Sequence, residues 1–380
     1  MDTESPEYDA IVIGAGPGGG ECARELSAVG YKVLLLERSK IIGEPNFSSG
    51  NILKDTLGEF KLSKKIIQTK WNSLAIISKN QKAEFYFKDT IGYIIDYKAL
   101  KRFLADEAKR NGAVLMVGTA AEAPIMEEGK LKGVKFTNGK AKAKVIIDAS
   151  GPYGILSAKF GILKERTSGM AGVEYLMSNV TFENGRKPQF YLGKSFIPKG
   201  YAWIFPTKKS EAKVGVAIWT QNKGVQRKAL DKFVASNSQT KHAKILDIHG
   251  GRVAFANPKT FVQGNLIAIG DAAGQCNPLG GEGIEYALRA GRYAAMACIK
   301  YMQSDRKDIG LLKDYDKLWK KHIGKRWALS YVMADRVYPK LSDKNADRLV
   351  RLYKRMAPDD IIDLLYRYKF QKLGKYIIKI

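Results

Sequence analysis

Glycines and acidic residues combine in two widely separated segments of this chain whose spacing suits a dinucleotide. The first segment follows the apolar residues 10–13 and places Gly14, Gly16 and Gly19 in the order G-x-G-x-x-G, and Glu37 ends the next apolar run. In a strand–loop–helix unit these glycines let the backbone approach a pyrophosphate at the helix N-terminus, and the acid accepts ribose hydroxyls. The segment predicts a site for an adenosine diphosphate group.

The second segment predicts which dinucleotide is bound. An apolar strand leads into Gly-Asp-Ala-Ala-Gly at residues 270–274, and Gly283 and Ile284 then begin an amphipathic helix. Asp271 can accept a hydrogen bond from a ribityl hydroxyl, and the positive end of the helix would stabilise an anionic reduced flavin. Because NAD has no ribityl chain, the two segments together predict FAD.

Elements with strand and helix periodicity must position these segments, and they predict an α/β fold. The pattern predicts helices over 20–29 and 98–111, a hairpin over 74–87, and helical structure after residue 305 with a break at 357–358. The predicted regions are a discontinuous FAD-binding Rossmann-type domain of residues 1–65, 91–165 and 261–300, an inserted antiparallel β-rich substrate domain of residues 66–90 and 166–260, and a C-terminal helical, basic region of residues 301–380.

An aromatic stripe is the segment most informative about a substrate. In the strand predicted over 200–206, the two-residue period puts Tyr201, Trp203 and Phe205 on one face. Such a stripe can be ordinary core, or it can be the wall of a pocket between the β-rich domain and the flavin. An aromatic wall suits a long apolar polyene, and its π-faces stabilise a developing carbocation. Both interpretations remain open at this stage.

The charge of the chain calls for an anionic partner or a heavily solvated surface. The net charge is +26, and the residues from 300 onward hold 21 Lys and Arg against 10 acids. The last fifteen residues hold five bases and no acid, interleaved with Tyr, Phe and Ile. This tail suits either an anionic membrane surface or the end of a packed helical region. No motif for nucleic-acid binding accompanies the charge, so no nucleic-acid partner is expected.

Signals for export, membrane spanning, metal binding and disulfides are all weak. The N-terminus is acidic and polar, and no apolar run approaches the length of a membrane span. The expected location is therefore cytoplasmic, with peripheral attachment to membranes. The three cysteines have no ligand spacing, so no metal is expected. The three histidines are scattered, and no histidine–carboxylate pair is expected from their spacing.

These segments resemble the geranylgeranyl reductase family of flavoproteins, particularly archaeal enzymes that saturate the isoprenoid chains of ether lipids. The resemblance implies the fold of the p-hydroxybenzoate hydroxylase group, non-covalent FAD, and hydrogenation of isolated double bonds in geranylgeranyl phospholipids or prenyl precursors. It also implies an external electron donor, which could be a ferredoxin, a nicotinamide or a deazaflavin. The segments that carry the resemblance are Gly14–Gly19, Asp148–Gly151, Tyr201–Pro206, Val214–Val216, Gly270–Gly274, Gly281–Ile284 and the late Leu341–Asp343 with Asp347–Val350.

The resemblance implies roles for particular residues. The expected FAD contacts are Gly14, Gly16, Gly19, Glu37, Arg38, Ser49, Gly50, Ile52, Ala121, Asp271, Gly283 and Ile284. The expected substrate contacts are Tyr201, Trp203, Phe205 and Gly215. Tyr201, Trp203 and Ser48 are the expected catalytic residues, and Tyr201, Ser48, Cys276 or an ordered water could donate the proton.

The chain departs from the family pattern at three positions. Ser48 stands where members often carry a cysteine, so a role that needs a thiol there is lost or transferred. Tyr97 stands where an arginine is expected, which puts one flavin or phosphate contact in doubt. Ala217 replaces the second glycine after the aromatic strand and adds one methyl group near the pocket.

Other functions remain alternatives. A monooxygenase or halogenase of the same fold would use oxygen, and the segment 200–206 is similar to the Trp-rich strand of halogenases. A quinone-linked dehydrogenase is disfavoured because no cysteine cluster for an iron–sulfur centre appears. A basic, non-catalytic binding protein is disfavoured because both FAD segments are complete.

Overall fold

Two large β-sheets organise the chain in the computed structural model, which describes residues 5–46, 48–163, 169–183, 185–219, 224–306 and 308–377. The strands are β1 (Glu7–Ile13), β2 (Val33–Leu36), β3 (Asn51–Leu53), β4 (Ile67–Trp71), β5 (Ser73–Ile77), β6 (Lys82–Tyr86), β7 (Gly92–Ile95), β8 (Val114–Met116), β9 (Ala121–Glu127), β10 (Lys130–Phe136), β11 (Gly139–Asp148), β12 (Gly169–Ser178), β13 (Gln189–Leu192), β14 (Gly200–Lys208), β15 (Glu211–Trp219), β16 (Lys244–Ala254), β17 (Val262–Gln263) and β18 (Leu266–Ala268). The α-helices are α1 (Pro17–Ala28), α2 (Lys54–Glu59), α3 (Tyr97–Arg110), α4 (Val225–Ser236), α5 (Ile284–Gln303), α6 (Asp314–Trp319), α7 (Lys325–Val337), α8 (Asp343–Tyr353), α9 (Pro358–Leu365) and α10 (Gly374–Ile377).

The first sheet gathers the glycine-rich segments at one edge. Its order is β17-β18-β11-β1-β2-β8, with β10 and β9 continuing from β11, and β18, β11, β1, β2 and β8 run parallel. Strands buried on both faces are continuous apolar runs, as residues 10–13 and 33–36 are. Because the carboxyl ends of parallel strands meet at one edge, Gly14, Glu37 and Gly270 lie together there.

The second sheet carries the aromatic stripe. Its order is β16-β12-β15-β14-β13-β5-β6, and one face packs on α4 around Tyr191 and Phe233. The opposite face, with Trp203 and Phe205, packs against residues of the C-terminal helices. The aromatic stripe is thus enclosed between the sheet and the C-terminal region.

A third, three-stranded sheet joins segments that the sequence assigned to different domains. Its order is β3-β7-β4, in which β4 comes from the stretch predicted to be β-rich. The strands of the first sheet lie within 7–148 and 262–268, and those of the second within 73–86 and 169–254. The exact domain boundaries stay a prediction.

Local signals explain where the predicted helices begin. The helix predicted over 98–111 is α3, and it begins at Tyr97 because Asp96 caps it by accepting a hydrogen bond from Ala99 N at 3.0 Å. The first helix begins at Pro17, three residues earlier than predicted, because Gly16 is its N-cap and proline suits the first turn. The predicted hairpin is formed by β5 and β6.

The C-terminal region is more interrupted than predicted. Ser342 caps α8 by accepting a hydrogen bond from Asn345 N, and Pro358 begins α9 at the expected break. Residues 366–369 then leave the helical path, with a φ of 51° at Tyr368, and a 3-10 helix follows over Phe370–Leu373. The prediction of helical structure up to the end is therefore right only in part, because its periodicity did not reveal these turns.

The C-terminal tail packs onto the protein as far as it is described. Lys369 lies 3.0 Å from Asp363, Lys372 lies 2.7 Å from Asp360, and Tyr376 donates a hydrogen bond to Asp360 at 2.8 Å. Phe370, Leu373 and Tyr376 are partly buried against the core, as the packing alternative predicts. The Ile377 side chain and residues 378–380 lie outside the described part. None of the helices that the structure describes is long and apolar enough to cross a membrane.

Candidate active site

The three fingerprint glycines have different structural tasks. A Cβ at Gly14 would lie 2.4 Å from Ala149 O, and one at Gly19 would lie 1.9 Å from Gly14 O. At Gly16, by contrast, nothing lies within 4 Å of the Cβ position. Gly14 and Gly19 therefore permit close packing of loop, helix and strand, whereas Gly16 leaves open space at the N-terminus of α1. This space and its backbone N–H groups suit a pyrophosphate.

Glu37 is held in place at the adenosine end of the site. Its Oε2 accepts a hydrogen bond from Ala15 N at 3.0 Å, and its Oε1 accepts one from Ser39 N at 2.9 Å. A carboxylate offers about four acceptor positions, so both oxygens can still accept ribose hydroxyls. Thr119 N donates to Glu37 O, which brings Ala121 at the start of β9 close to this end.

Asp271 marks the ribityl end. Burial raises the pKa of its carboxyl to about 7. Its carboxylate accepts no hydrogen bond from any residue that the structure describes, and its Oδ1 lies 4.0 Å from the Cβ position of Gly283 at the N-cap of α5. Asp271 is half-buried, and a carboxyl that is largely removed from water is costly without a donor. A ribityl hydroxyl would supply the missing donor, so the residues present fit the cofactor that the sequence predicts.

Tyr97 lies between the two ends, where the family pattern has an arginine. Burial raises the pKa of its phenol, and the carboxylates of Asp271 and Glu37 raise it further. The position thus provides a neutral hydroxyl rather than a positive charge, and phosphate neutralisation depends on other groups. Arg38 is exposed at the rim, and Ile52 is buried in the strand β3.

The loop before β3 has the tight geometry expected near a flavin. Gly50 has a φ of +73°, and a Cβ there would lie 2.4 Å from Ile95 O. Ser48 Oγ accepts a hydrogen bond from Gly50 N at 3.2 Å. The Ser48 hydroxyl therefore stabilises the turn, and Ser49 lies within it.

The aromatic stripe forms one continuous wall. The ring centroids of Tyr201 and Trp203 lie 5.8 Å apart, and those of Trp203 and Phe205 lie 6.1 Å apart. Tyr201 stacks on Tyr338 of the C-terminal region at 6.4 Å and donates a hydrogen bond to Gly280 O at 2.7 Å. The wall therefore touches the loop that leads to Gly283. Burial raises the pKa of Tyr201, which makes its phenol a poor acid.

Gly215, the fourth predicted substrate contact, lies beneath the wall. Gly215 pairs with Trp203 across β14 and β15, and the indole covers the glycine. Gly215 therefore supports the indole from below instead of facing open space. Trp203 Nε1 donates a hydrogen bond to Glu174 Oε2 at 2.6 Å, and Trp203 is 8% exposed.

The expectation that no histidine pairs with a carboxylate is wrong. His249 Nε2 lies 2.7 Å from Glu174 Oε1, although 75 positions separate the two residues. Antiparallel pairing of β12 with β16 places them directly opposite each other. Spacing along the sequence could not reveal this pair, because only the strand register brings it together.

Two further charged groups were missed by the sequence reasoning. Lys213 is buried, and its Nζ donates hydrogen bonds to Ser49 O at 2.8 Å and to Ile95 O at 2.9 Å. Burial lowers the pKa of Lys213. Lys101 is buried beside Glu37, and burial lowers its pKa against the opposing effect of that carboxylate. Nothing in the sequence distinguishes these two lysines from the many other basic residues of the chain.

The segment Gly281–Ile284 contains an acid, Glu282, to which the sequence patterns assigned no role. Glu282 Oε2 is buried without a hydrogen-bond partner among the described residues. Burial raises the pKa of Glu282 well above its usual value, with Glu285 adding to the effect and Arg289 opposing it. Burial also raises the pKa of Cys276, whose Sγ donates to Glu282 O at 3.2 Å, so this thiol stays neutral.

Comparison with known proteins identifies the group to which this arrangement belongs. Residues 9–172 match the family of FAD dependent oxidoreductases, and residues 170–253 match the geranylgeranyl reductase catalytic domain. A digeranylgeranylglycerophospholipid reductase of Methanoculleus marisnigri is 32% identical over 331 residues, which are 82% of each chain. The chain belongs to the geranylgeranyl reductase family. The Glu174–His249 pair and the aromatic wall both lie in the segment matched by the catalytic domain.

Other members of the geranylgeranyl reductase family match along nearly the whole chain. A digeranylgeranylglycerophospholipid reductase of Haloferax volcanii is 29% identical over 385 residues, covering 94% of this chain and 91% of the relative. The crystal structure of a geranylgeranyl bacteriochlorophyll reductase-like protein from Thermoplasma acidophilum is 26% identical, with a TM-score of 0.86, 98% of this chain and 100% of that chain covered. The predicted family, α/β flavoprotein fold and FAD-dependent oxidoreductase class are confirmed.

The halogenase resemblance is one of fold. The flavin-dependent brominase Bmp2 covers 96% of this chain at 18% identity with a TM-score of 0.69. Geranylgeranyl reductases and this brominase thus share an architecture. At this level of identity the likeness does not indicate which reaction the protein catalyses.

Proposed function

We propose that this protein is an FAD-dependent reductase that hydrogenates isolated double bonds in the geranylgeranyl chains of ether phospholipids or their prenyl precursors. The observation that carries the proposal is the aromatic wall of Tyr201, Trp203 and Phe205, which contacts the loop leading to Gly283 through Gly280. The names of its relatives supply the substrate class.

Residues at one sheet edge would hold the cofactor. The N-terminus of α1 at Gly16 would bind the pyrophosphate, Glu37 the adenosine ribose, and Asp271 the ribityl chain. The N-terminus of the 20-residue helix α5, at Gly283 and Ile284, would stabilise negative charge on the reduced ring. When bound, reduced FAD supplies a hydride.

The aromatic wall suits the difficulty of the substrate. An isolated alkene carries no carbonyl that the protein could polarise, so addition of a proton develops positive charge on a tertiary carbon. The faces of Trp203 and Tyr201 stabilise this charge by cation–π interaction, typically by about 0.5–2 kcal/mol each. Packing of Tyr338 against Tyr201 excludes water from one side of the wall.

The electron donor and the membrane contact belong to the same proposal. A ferredoxin, a nicotinamide or a deazaflavin would reduce the flavin. The net charge of +26 would favour peripheral binding to anionic lipid, where each basic residue contributes about 1 kcal/mol.

Anaerobic single turnover tests the proposed function. Protein reconstituted with FAD is reduced with dithionite and mixed with digeranylgeranylglycerophospholipid, and mass spectrometry counts the hydrogens gained while absorbance follows flavin oxidation. Two hydrogens gained for each flavin oxidised are expected. The saturated lipid is the matched control and should leave the flavin reduced. A strict need for oxygen, or a protein that cannot be reconstituted with FAD, would rule the proposal out.

A further inference from the structure

A chain of polar contacts leads from the aromatic wall to the surface. Trp203 Nε1 donates to Glu174 Oε2 at 2.6 Å, and Glu174 Oε1 lies 2.7 Å from His249 Nε2. His249 Nδ1 lies 3.8 Å from Asp247 Oδ2, and the Asp247 side chain is 53% exposed. The side chains of Glu174 and His249 are only 4% and 6% exposed. Two buried titratable groups therefore connect the wall with solvent.

Asn46 connects the pair with the loop before β3. Ser48 N donates to Asn46 Oδ1 at 3.2 Å, which sets the orientation of the amide. Asn46 Nδ2 then lies 3.1 Å from His249 Nε2, the same nitrogen that lies 2.7 Å from Glu174 Oε1. The imidazole is therefore held between the carboxyl group and the loop.

Glu174 lies between the aromatic wall and the loop before β3, which it meets through His249 and Asn46. On the same sheet face, the neighbouring strand β15 carries Gly215 beneath the indole and Lys213, which holds Ser49 O. Glu174 thus stands between the proposed alkene wall and the proposed flavin contacts. An acid that acts on the alkene must occupy this region, because hydride and proton add to neighbouring carbons.

The outer end of the chain opens into a cleft. A cleft of about 510 Å³ is lined by Asn46, Asp247 and His249 together with residues of the loop before β3 and the start of α3. An approach of about 1 Å by the exposed Asp247 carboxylate would bring it to hydrogen-bond distance from His249 Nδ1. The charged groups that face the pair and this cleft are Lys213 of β15, Asp247 of β16, Lys98 of α3, and Lys40 and Glu44 of the loop.

We propose that Glu174 is the acid that protonates the alkene, and that His249 and Asp247 return a proton to it from the cleft. The proposal rests on the proposed function. In each turnover one alkene carbon takes the proton of the Glu174 carboxyl, and the neighbouring carbon takes the hydride supplied by reduced flavin, which is oxidised. His249 then gives a proton to the Glu174 carboxylate and regains one from the cleft through Asp247. Every double bond reduced consumes one proton from the cleft.

Glu174→Gln is the decisive variant, because glutamine keeps the size and can still accept from Trp203. Flavin content, reduction by dithionite and reoxidation by oxygen should match the wild type. Reoxidation of the flavin by geranylgeranyl lipid should slow by about 100-fold or more, the usual contribution of a general acid. The pH dependence of the wild-type rate should be lost in the variant. Glu211→Gln, on β15 and paired with Lys208, is the matched control and should behave as wild type.

The surface end supplies a second test. His249→Gln and Asp247→Asn should slow repeated turnover more than the first turnover, because they impair return of the proton rather than its delivery. His242→Gln, an exposed histidine outside the cleft, is the control. If Glu174→Gln does not fold, an unchanged pH profile in both His249→Gln and Asp247→Asn overturns the proposal.

A spectroscopic measurement separates this proposal from the proposed function. Nitrogen-15 NMR without substrate should show the His249 Nε2 resonance displaced in Glu174→Gln and unchanged in Glu211→Gln. An unchanged resonance in Glu174→Gln overturns the contact between the pair whatever the enzyme reduces. Lipid reduction by Glu174→Gln at the wild-type rate overturns the role of Glu174 but leaves the reductase function intact. If Glu282→Gln loses activity while Glu174→Gln keeps it, the acid is Glu282 instead.

Discussion

The indole of Trp203 lies directly on Gly215: a Cβ at Gly215 would be 2.2 Å from Cζ2 and 2.5 Å from Cε2 of the ring. Real side chains do not approach this closely, so residue 215 must lack a side chain for Trp203 to keep its place. The same indole is held from the side by Glu174 through its N–H group. The position of the wall therefore depends on a glycine beneath it and an acid beside it.

Gly215→Ala should push Trp203 out of place and slow lipid reduction while flavin binding persists. Overpacking of this kind typically costs about 1–3 kcal/mol of folding free energy. Gly58→Ala is the matched control, since nothing lies within 4 Å of its Cβ position in α2, and it should be neutral or slightly stabilising. Thermal unfolding and single-turnover rates measure both effects. An alanine at 215 that leaves both unchanged would show that the indole can move without consequence.

Asp271→Asn should weaken FAD binding and stabilise the flavin-free protein at high pH. The folded pKa of about 7 lies above the ordinary value of 3.8, so the folded state holds a proton that the unfolded state has lost between these values. The flavin-free wild type therefore loses stability as pH rises from about 4 to about 7, and the asparagine variant escapes this loss. Melting temperatures of flavin-free protein should diverge above pH 7 and converge near pH 4.

The affinity of the same variant for FAD should change in the opposite direction. Loss of a charged hydrogen-bond acceptor costs about 1.5–3 kcal/mol, so Kd should rise by about tenfold or more. Fluorescence titration with FAD measures it. An unchanged Kd would place Asp271 outside the cofactor site.

Lys213→Met should loosen the loop at Ser49 and Gly50. The substitution leaves Ser49 O and Ile95 O without their donor, and an unsatisfied buried group costs about 1–3 kcal/mol. Both the melting temperature and the affinity for FAD should fall. Lys208→Met, on the same hairpin with its side chain 72% exposed, should change neither. Equal behaviour of the two variants would contradict the role of Lys213 in joining the sheet to this loop.

Removal of residues 369–380 should lower the melting temperature and reduce activity on membrane lipid and on a short soluble prenyl phosphate alike. The described part of this tail is packed through Phe370 and Leu373 and joined to Asp360 by Lys372. Lys375→Gln, which removes one charge from a side chain that is 65% exposed, should have little effect on stability. An unchanged melting temperature with loss of vesicle binding would instead favour a membrane role for the tail.

Local sequence signals account for the geometry of the first glycine-rich segment. The spacing of Gly14, Gly16 and Gly19 follows from contacts within a few residues along the chain and with the adjoining strand, so a short pattern contains them. The elements α1, α3 and the hairpin of β5 and β6 were also predicted, with shifts of a few residues at their ends. These features depend on neighbours in sequence, and sequence therefore suffices.

The Glu174–His249 pair depends on the register between distant strands. Glu174 meets His249 only because β12 and β16 pair at that register, and Lys213 of β15 reaches Ser49 in the loop before β3. Nothing in the spacing of a histidine and a glutamate 75 positions apart predicts such a contact. Such tertiary relationships follow from the assembled fold, and the sequence patterns of single strands do not contain them.

Tyr366 and Tyr368 lie near the end of the chain but contact residues that are synthesised much earlier. Tyr366 accepts a hydrogen bond from Asn51 at 2.9 Å, and the ring of Tyr368 lies 6.3 Å from that of Tyr286 in α5. All strands of both large sheets, and α5, precede residue 304 in the chain. Strand pairing in both sheets can therefore begin during synthesis, whereas the contacts of Tyr366 and Tyr368 form only when the chain is almost complete.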